Sequence, residues 1–170
     1  MTRLWRTGTR LPFSRQSPGA DVGIRVQTDT FDPGELLNRL HAAQTGVGAV
    51  VSFVGYVRDF NEGEEVAGML LEHYPGMTEK ALQLIVDEAR QRWALLSLEV
   101  LHRVGRLEPG EPIVFVGVSS AHRAAAFEAS HFIIDYLKTR APFWKKEDTR
   151  SGPRWVDARD LDTLAMGKWQ

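Results

Sequence analysis

The sequence contains no cysteine among its 170 residues. Disulfide bonds, cysteine-ligated zinc, iron–sulfur clusters and a thiolate that carries sulfur on this chain are therefore excluded. The five histidines form no H-E-x-x-H motif or close pair, so we expect no bound metal. There is no P-loop, no G-x-G-x-x-G after a predicted strand and no G-x-S-x-G motif. No run of about 18 apolar residues is present, so we expect no membrane-spanning segment.

Charge is nearly balanced over the chain but unevenly distributed along it. There are 21 lysines and arginines against 22 aspartates and glutamates, and the first acid is Asp21. We expect residues 1–20, with four arginines, to be a flexible basic extension, because prolines interrupt it and it lacks the apolar segment of a targeting peptide. Residues 21–170 have the length of a single domain, and their net negative charge argues against nucleic-acid binding.

Hydrophobic periodicity and turn residues predict eight main elements in the order β-α-β-β-α-β followed by β-α. Strands are predicted at 22–28, 47–58, 66–74, 97–104 and 113–118, and helices at 33–45, 78–93 and from Ser119 or Ser120 to Arg140. The first six elements match the split βαβ pattern of ferredoxin-like folds. We therefore predict an α+β domain with a ferredoxin-like βαββαβ core, an additional strand and a long C-terminal helix. Its sheet should be mixed and mainly antiparallel, with strand 66–74 beside strand 47–58.

The segment Ser119–Arg123 lies where a buried strand leads into the last helix. Free backbone N–H groups at a helix start favour an anion, and His122 and Arg123 would add donors. The alternative is an ordinary helix cap with two exposed polar side chains.

Residues 138–146 contain four cations and two aromatic residues. Basic side chains in a last helical turn offset the helix dipole, but here Phe143 and Trp144 follow Pro142 and precede two more lysines. Such a pattern is typical of a basic pocket with an apolar lining, in which clustered cations lower one another's pKa. The alternative is a solvated surface.

Three weaker candidates remain. The stretch Arg58–Asn61 ends a predicted strand, Leu71–Thr78 contains a glutamate and a histidine at a strand-to-helix junction, and Arg154 is followed by Trp155. A structural role is favoured for the first two, as an exposed strand end and a hydrogen-bonded strand-to-helix junction, and the third is uninformative by itself.

Taken together, these segments resemble the large, catalytic subunit family of molybdopterin synthase, whose fold is of the alpha/beta-hammerhead type. The similarity runs from about residue 22 to about 160 and includes long consecutive identities. The matching stretches are Leu71–Lys80, Ile113–Arg123, Phe127–Ala129, Asp135–Lys145 and Arg154–Ala158.

The resemblance implies a cytoplasmic sulfurtransferase without a cofactor. The family transfers two sulfurs from the C-terminal Gly-Gly thiocarboxylate of a small ubiquitin-like sulfur-carrier subunit to cyclic pyranopterin monophosphate, and forms the dithiolene of molybdopterin. Two large subunits form a central homodimer, and a small subunit on each completes a heterotetramer, without nucleic acid or membrane. The alternatives are a non-catalytic scaffold for the small subunit and an RNA-binding ferredoxin-like module, although no RNP-type aromatic run is present.

Site residues follow from the same resemblance. The two active-site lysines correspond to Lys138 and Lys145, and the end of the channel for the partner's tail to Phe143, Trp144 and Arg140. The substrate-binding positions are Arg58, His122, Arg123, Phe53 and Arg159. Tyr56 and Ile134 depart from residues common in the family, and residues 1–20 are additional.

Two geometric questions arise from these positions. Arg123 and Lys138 are 15 residues apart on one predicted helix, which separates them by roughly 22 Å, so we expect the active site to be completed by the neighbouring subunit. Phe53 and Arg58 have opposite strand parity. Either Gly55 marks a bulge between them or Arg58 lies beyond the strand end.

Overall fold

A computed structural model describes residues 21–42, 44–156 and 167–169. These residues form strands β1 (Asp21–Gln27), β2 (Ala49–Tyr56), β3 (Phe60–Asn61), β4 (Glu64–His73), β5 (Ser97–Arg103), β6 (Gly105–Leu107), β7 (Pro112–Ser120), β8 (Phe143–Thr149) and β9 (Gly152–Val156). The helices are α1 (Pro33–Arg39), α2 (Met77–Arg92) and α3 (Arg123–Arg140), with a short 3-10 turn at Gly167–Trp169. None of the helices in this part of the chain is long and apolar enough to cross a membrane.

The first sheet has the strand order β1-β5-β7-β2 and carries the main core. Its β1–β5 pair is parallel, and its other pairs are antiparallel. One face is covered by α2 and α3, whose apolar stripes meet the sheet in a cluster that includes Leu82, Val116, Phe132 and Tyr136. Phe115 points to the other face, where Leu36 and Leu40 of α1 cover it. Each fully buried large apolar side chain contributes about 1.5–3 kcal/mol to folding.

The second sheet has the order β3-β4-β8-β9, and β6 also pairs with β4. Its apolar core is small and consists of Val57, Met69, Leu71 and Leu107. The sheets meet where the ring of His102 in β5 stacks on Phe143 in β8, with centroids 3.8 Å apart and planes 16° from parallel.

Helix α1 begins where the sequence predicts. The Asp32 side chain accepts hydrogen bonds from Gly34 N at 2.7 Å and Glu35 N at 3.3 Å, and Pro33 occupies the first helical position. The helix ends at Arg39 rather than near residue 45.

Helix α3 begins at Arg123, after His122, and not at Ser119 or Ser120 as predicted. Both serines extend β7 and use their side chains within the first sheet. Ser119 Oγ accepts from Ser97 N at 2.9 Å, and Ser120 Oγ donates to Ala94 O at 2.9 Å. Ser120 Oγ also accepts a 3.3 Å hydrogen bond from His122 N.

The α+β class, the mixed and mainly antiparallel pairing and the long C-terminal helix are confirmed. The predicted pairing of strand 66–74 with strand 47–58 is wrong, because β2 pairs with β7 whereas β4 pairs with β8. Strand β8 was not predicted, since its charged sequence FWKKEDT lacks an apolar run. The predicted basic extension, residues 1–20, lies outside the described residues.

Candidate active site

A buried carboxylate organises the inner face of the second sheet. Glu147 of β8 is 1% exposed, and its Oε1 lies 2.7 Å from Lys145 Nζ. Arg154 Nη2 of β9 lies 3.2 Å from Oε2. Asn61 donates from Nδ2 to both carboxylate oxygens, at 3.1 and 3.0 Å, and accepts at Oδ1 from Arg58 Nη2 at 2.8 Å. We call these five residues the Glu147 cluster.

The charges in the Glu147 cluster explain how a carboxylate tolerates this position. Burial alone would raise the pKa of Glu147, but hydrogen bonds from Lys145 and Asn61 and the Lys145 charge outweigh burial and lower that pKa below its usual 4.5. The cluster contains three cations and one carboxylate, and Arg154 Nη1 also reaches Glu62 Oε2 at 3.3 Å. Positive charge is therefore in excess beside Lys145, which suits an anionic ligand.

The alternation of β8 sets which side chains meet. Phe143, Lys145 and Glu147 share one face, while Trp144 and Lys146 point to the other. The pairing of Leu71 with Lys145 and of Met69 with Glu147 puts the first group on the face with the small apolar core.

The junction between α3 and β8 is held from two sides. Thr78 Oγ1 at the start of α2 donates to Pro142 O at 3.3 Å. His102 stacks on Phe143, and its Nδ1 donates to Arg103 O at 2.7 Å. Burial lowers the pKa of His102 to about 4, an effect that the hydrogen bond opposes and nearby His73 reinforces. A neutral ring therefore supports the segment between the two predicted lysines.

The structure separates the three residues predicted to end the tail channel. Phe143 faces inward, whereas Trp144 is 48% exposed on the outer face of the second sheet, opposite Glu72 of β4. Arg140 lies over the Tyr136 ring at 3.9 Å and pairs with Glu88 of α2 at 3.3 Å. Only Phe143 shares a strand face with Lys145.

His122 and Arg123 stand at the exposed N-terminus of α3. His122 is the N-cap residue but makes no capping hydrogen bond with its side chain, and no acid occupies the first turn. Backbone N–H groups and an arginine therefore face solvent with no acid in the first turn, which is the environment that binds an anion. Lys138 stands exposed near the opposite end of the same helix.

A cleft of about 600 Å³ lies along the side of α3 between these ends. Its walls include Phe53 of β2 and Phe127 and Ile134 of α3. Lys138 lies one turn beyond Ile134, on the same side of the helix. The structure thus puts Phe53 in a cleft whose lining on α3 ends at Ile134, one turn before Lys138, while Arg123 and Lys138 remain 15 residues apart.

The bulge near Gly55 and the strand end before Arg58, which could each explain the opposite parity of Phe53 and Arg58, are both present. The register of β2 against β7 shifts between Gly55 and Tyr56, and β2 ends at Tyr56, so that Arg58 lies beyond the strand. Phe53 packs against the main core, whereas Arg58 joins the Glu147 cluster. Arg159 lies outside the described residues.

Sequence reasoning missed Glu147, and it included Asn61 only as the last residue of a weak candidate stretch. The available signal was a lysine and a glutamate two residues apart in a strand, which puts opposite charges on one face. The contact with Asn61 joins residues 86 positions apart and has no local signature.

Comparison with known proteins identifies the family of this chain. Residues 26–140 match the family model described as MoaE protein. The chain is 69% identical over 149 residues, 88% of its length, to the molybdopterin synthase catalytic subunit of Pseudomonas aeruginosa, of which it covers 99%. It is 57% identical to that of Escherichia coli over 150 residues, 88% of this chain and 99% of the relative.

A solved structure, the molybdopterin biosynthesis MoaE protein from Burkholderia ambifaria, is similar with a TM-score of 0.74 and 49% identity. The match covers 89% of this chain and 98% of the other. With the family model and these relatives in agreement over most of its length, the chain belongs to the MoaE family.

Proposed function

We propose that this chain is the catalytic subunit of a molybdopterin synthase. It transfers two sulfurs from the C-terminal glycine thiocarboxylate of a small ubiquitin-like partner to cyclic pyranopterin monophosphate, and thereby forms the dithiolene of molybdopterin. Each transfer forms a carbon–sulfur bond at a substrate carbon, which gives up its oxygen substituent. Water then attacks the acyl carbon of the partner, breaks its acyl carbon–sulfur bond and supplies the oxygen that leaves the glycine as a carboxylate. As the family resemblance implies, the reaction takes place in the cytoplasm and uses no cofactor.

The observation that carries the proposal is the Glu147 cluster. Lys145 and Arg58, each identified from its match to the family, are linked through Asn61 and Glu147 by contacts of 2.7–3.1 Å. The substrate phosphate and the thiocarboxylate are both anions, and a partly buried cluster with excess positive charge attracts them more strongly than an exposed one would.

The two lysines take different roles in this mechanism. The Nζ atom of Lys145 is held in place by Glu147 at 2.7 Å, and Lys145 is assigned to stabilise the anionic intermediate of sulfur attack. Lys138 lies on the exposed side of α3 near the Phe53 cleft. It is assigned as the acid/base group that gives and takes the proton during attack and release.

The proposed assembly is a homodimer with one small subunit on each copy. Arg123 and Lys138 are roughly 22 Å apart along α3, too far to hold one small pterin from the same chain. His122 and Arg123 therefore complete the site of the neighbouring copy, where they bind the substrate phosphate. Arg159 is proposed as a further substrate-binding cation.

The alternation of side chains along β8 changes which residues we assign to the channel for the partner's C-terminal tail. Phe143, on the same face as Lys145, is assigned to its inner end, and Arg140 to its mouth beside Tyr136. Trp144, on the outer face, is assigned to the contact with the body of the small subunit rather than to the channel.

Reconstitution tests the activity. The full chain is mixed with thiocarboxylated small subunit and cyclic pyranopterin monophosphate, and dithiolene product is measured. Lys138→Ala and Lys145→Ala should each lower the rate about 100-fold or more. Lys146→Ala is the matched control, because Lys146 faces the other side of β8 and lies 5.5 Å from the Trp155 ring. Near-normal turnover by Lys138→Ala, or no product with the unaltered chain, would contradict the proposal.

Mixed dimers test whether sites are shared between copies. An Arg123→Ala chain paired with a Lys138→Ala chain should regain about half of normal activity, because one of two composite sites is intact. Activity no greater than that of either single-variant dimer would exclude a shared site.

A further inference from the structure

The C-terminal turn Gly167–Trp169 is docked tightly on α2 and α3. Trp169 packs edge-on against Phe132 and Trp93, with centroid distances of 5.5 and 5.9 Å. Its Nε1 donates to Asp135 Oδ2 at 2.8 Å, and its backbone carbonyl accepts from Arg92 at 2.8 Å. Asp135 is itself 8% exposed. An indole held by ring contacts and by hydrogen bonds at both its side chain and its backbone has a fixed orientation.

This turn supplies part of the cleft that contains Phe53. The lining of that cleft combines β2 and α3 with Lys168 and Trp169. Lys168 Nζ lies 3.4 Å from His131 Nδ1, so basic nitrogens stand at the same edge. The acid in the lining, Glu128, accepts a 2.8 Å hydrogen bond from Trp93 Nε1. Without the turn the cleft would be an open groove on α3.

We propose that Trp169 is a positioning residue for the ring system of the pterin. This inference rests on the proposed function. Trp169 and Phe53 provide aromatic surfaces for a flat heterocycle, and Lys168 provides positive charge for its anionic substituent. A volume of about 600 Å³ is within the usual range for small-molecule sites, which are mostly apolar with a few polar groups that fix orientation.

The position of the cleft links this role to the chemistry. Ile134 lines the cleft and Lys138 follows it by one helical turn. A ring held between Trp169 and Phe53 would therefore present its side chain toward Lys138. Because the proposed role of Trp169 is to hold the ring and not to act on the reacting atoms, its loss should weaken pterin binding more than it slows sulfur transfer to a bound pterin.

Kinetics on the reconstituted enzyme test this role. Trp169→Ala should raise KM for the pterin about 10-fold, with kcat within about 3-fold of normal. Trp169→Phe keeps a ring but loses the hydrogen bond to Asp135, and should raise KM about 3-fold. Trp155→Phe is the matched control, because Trp155 is a half-exposed tryptophan of β9 that contacts Lys146 and does not line the cleft. Thermal melts verify that each variant is folded.

A binding measurement separates this inference from the proposed function. Pterin-6-carboxylate, a flat heteroaromatic anion, is titrated calorimetrically into the full chain without the small subunit. Trp169→Ala should weaken its binding about 5-fold or more relative to Trp155→Phe. Equal binding and equal KM in the two variants would overturn the role of Trp169 even if sulfur transfer succeeds. Trp169-dependent binding in a chain that transfers no sulfur would instead contradict the proposed function alone.

Discussion

The two sheets of this domain are stabilised in different ways. The first sheet is buried between apolar helix faces, and residues such as Phe115 and Val116 are wholly inaccessible to solvent. In the second sheet the most deeply buried side chains include Glu147, which is surrounded by cations and an amide. The first arrangement gains free energy by removing apolar area from water, whereas the second must offset the cost of burying a charge.

The difference indicates how stability and function are divided in this fold. A buried ion cluster is weak as a source of stability, because desolvation cancels much of the attraction between its charges. It does fix the positions of Lys145 and Arg58 on a strand with a small apolar core. The first sheet therefore acts as the support, and the second carries preorganised charge.

The largest expected effect on stability comes from a substitution in the core of the first sheet. Phe115→Ala removes a fully buried ring that packs against Phe31 and Leu40, and should lower the free energy of unfolding by about 3–5 kcal/mol. Urea denaturation measures that loss. Sulfur transfer per folded molecule should stay near normal, because no member of the Glu147 cluster contacts Phe115. A stability loss below about 1 kcal/mol would be inconsistent with this division.

The next effect lies where the two sheets meet. The pKa of His102 is lowered to about 4, so between pH 6.5 and 4 the unfolded chain binds a proton that the folded chain does not. Stability should therefore fall by about 2 kcal/mol at this site between pH 7 and pH 5. His102→Phe keeps the stack on Phe143 and should remove that part of the pH dependence. Parallel denaturation curves at both pH values measure it, and an unchanged pH dependence in the variant would refute the assignment.

The smallest effect on stability is expected from the charge cluster itself. Glu147→Gln leaves Lys145 and Arg154 without a carboxylate and should cost about 1.5 kcal/mol at pH 7. The pKa of Glu147 is lowered, so its contribution is present above pH 4.5 and disappears as pH falls through the folded-state value. The variant should accordingly lose less stability than the unaltered chain below pH 4.5.

Asp148→Asn is the control for this substitution, because Asp148 pairs with Arg106 on the outer face of the same strand. If both variants show the same acid sensitivity as the unaltered chain, Glu147 is not the group responsible.

Elements with apolar periodicity could be predicted from the sequence, and those without it could not. The strand at β7 and the helices α2 and α3 follow from buried residues at regular spacing, and Asp32 with Pro33 marks the start of α1. Strand β8 consists mostly of charged residues whose partners lie far along the chain, such as Leu71 for Lys145. Pairing between strands distant in sequence has no local signal, which is why β4 was predicted beside β2.

The candidate site divides in the same manner. Lys145, Arg58, Lys138 and the His122–Arg123 pair could be found because consecutive residues resemble a family. Glu147 and Asn61 act through contacts between residues far apart in the sequence, which form only on folding. Glutamate is usually exposed to solvent, so its sequence position gives no reason to expect Glu147 to be buried. Trp169, near the end of the chain, gains its role only through its docking on α2 and α3.

The parallel pairing of β1 with β5 has a consequence for folding of the chain during translation. Asp21 pairs with Ser97, 76 positions later, and at translation rates of about 5–20 residues per second β1 waits roughly 4–15 s for its partner to be made. β2 waits almost as long, because its first residue, Ala49, pairs with Ser120, 71 positions later. A nascent chain shorter than this holds unpaired strand edges, which are open to pairing with wrong partners.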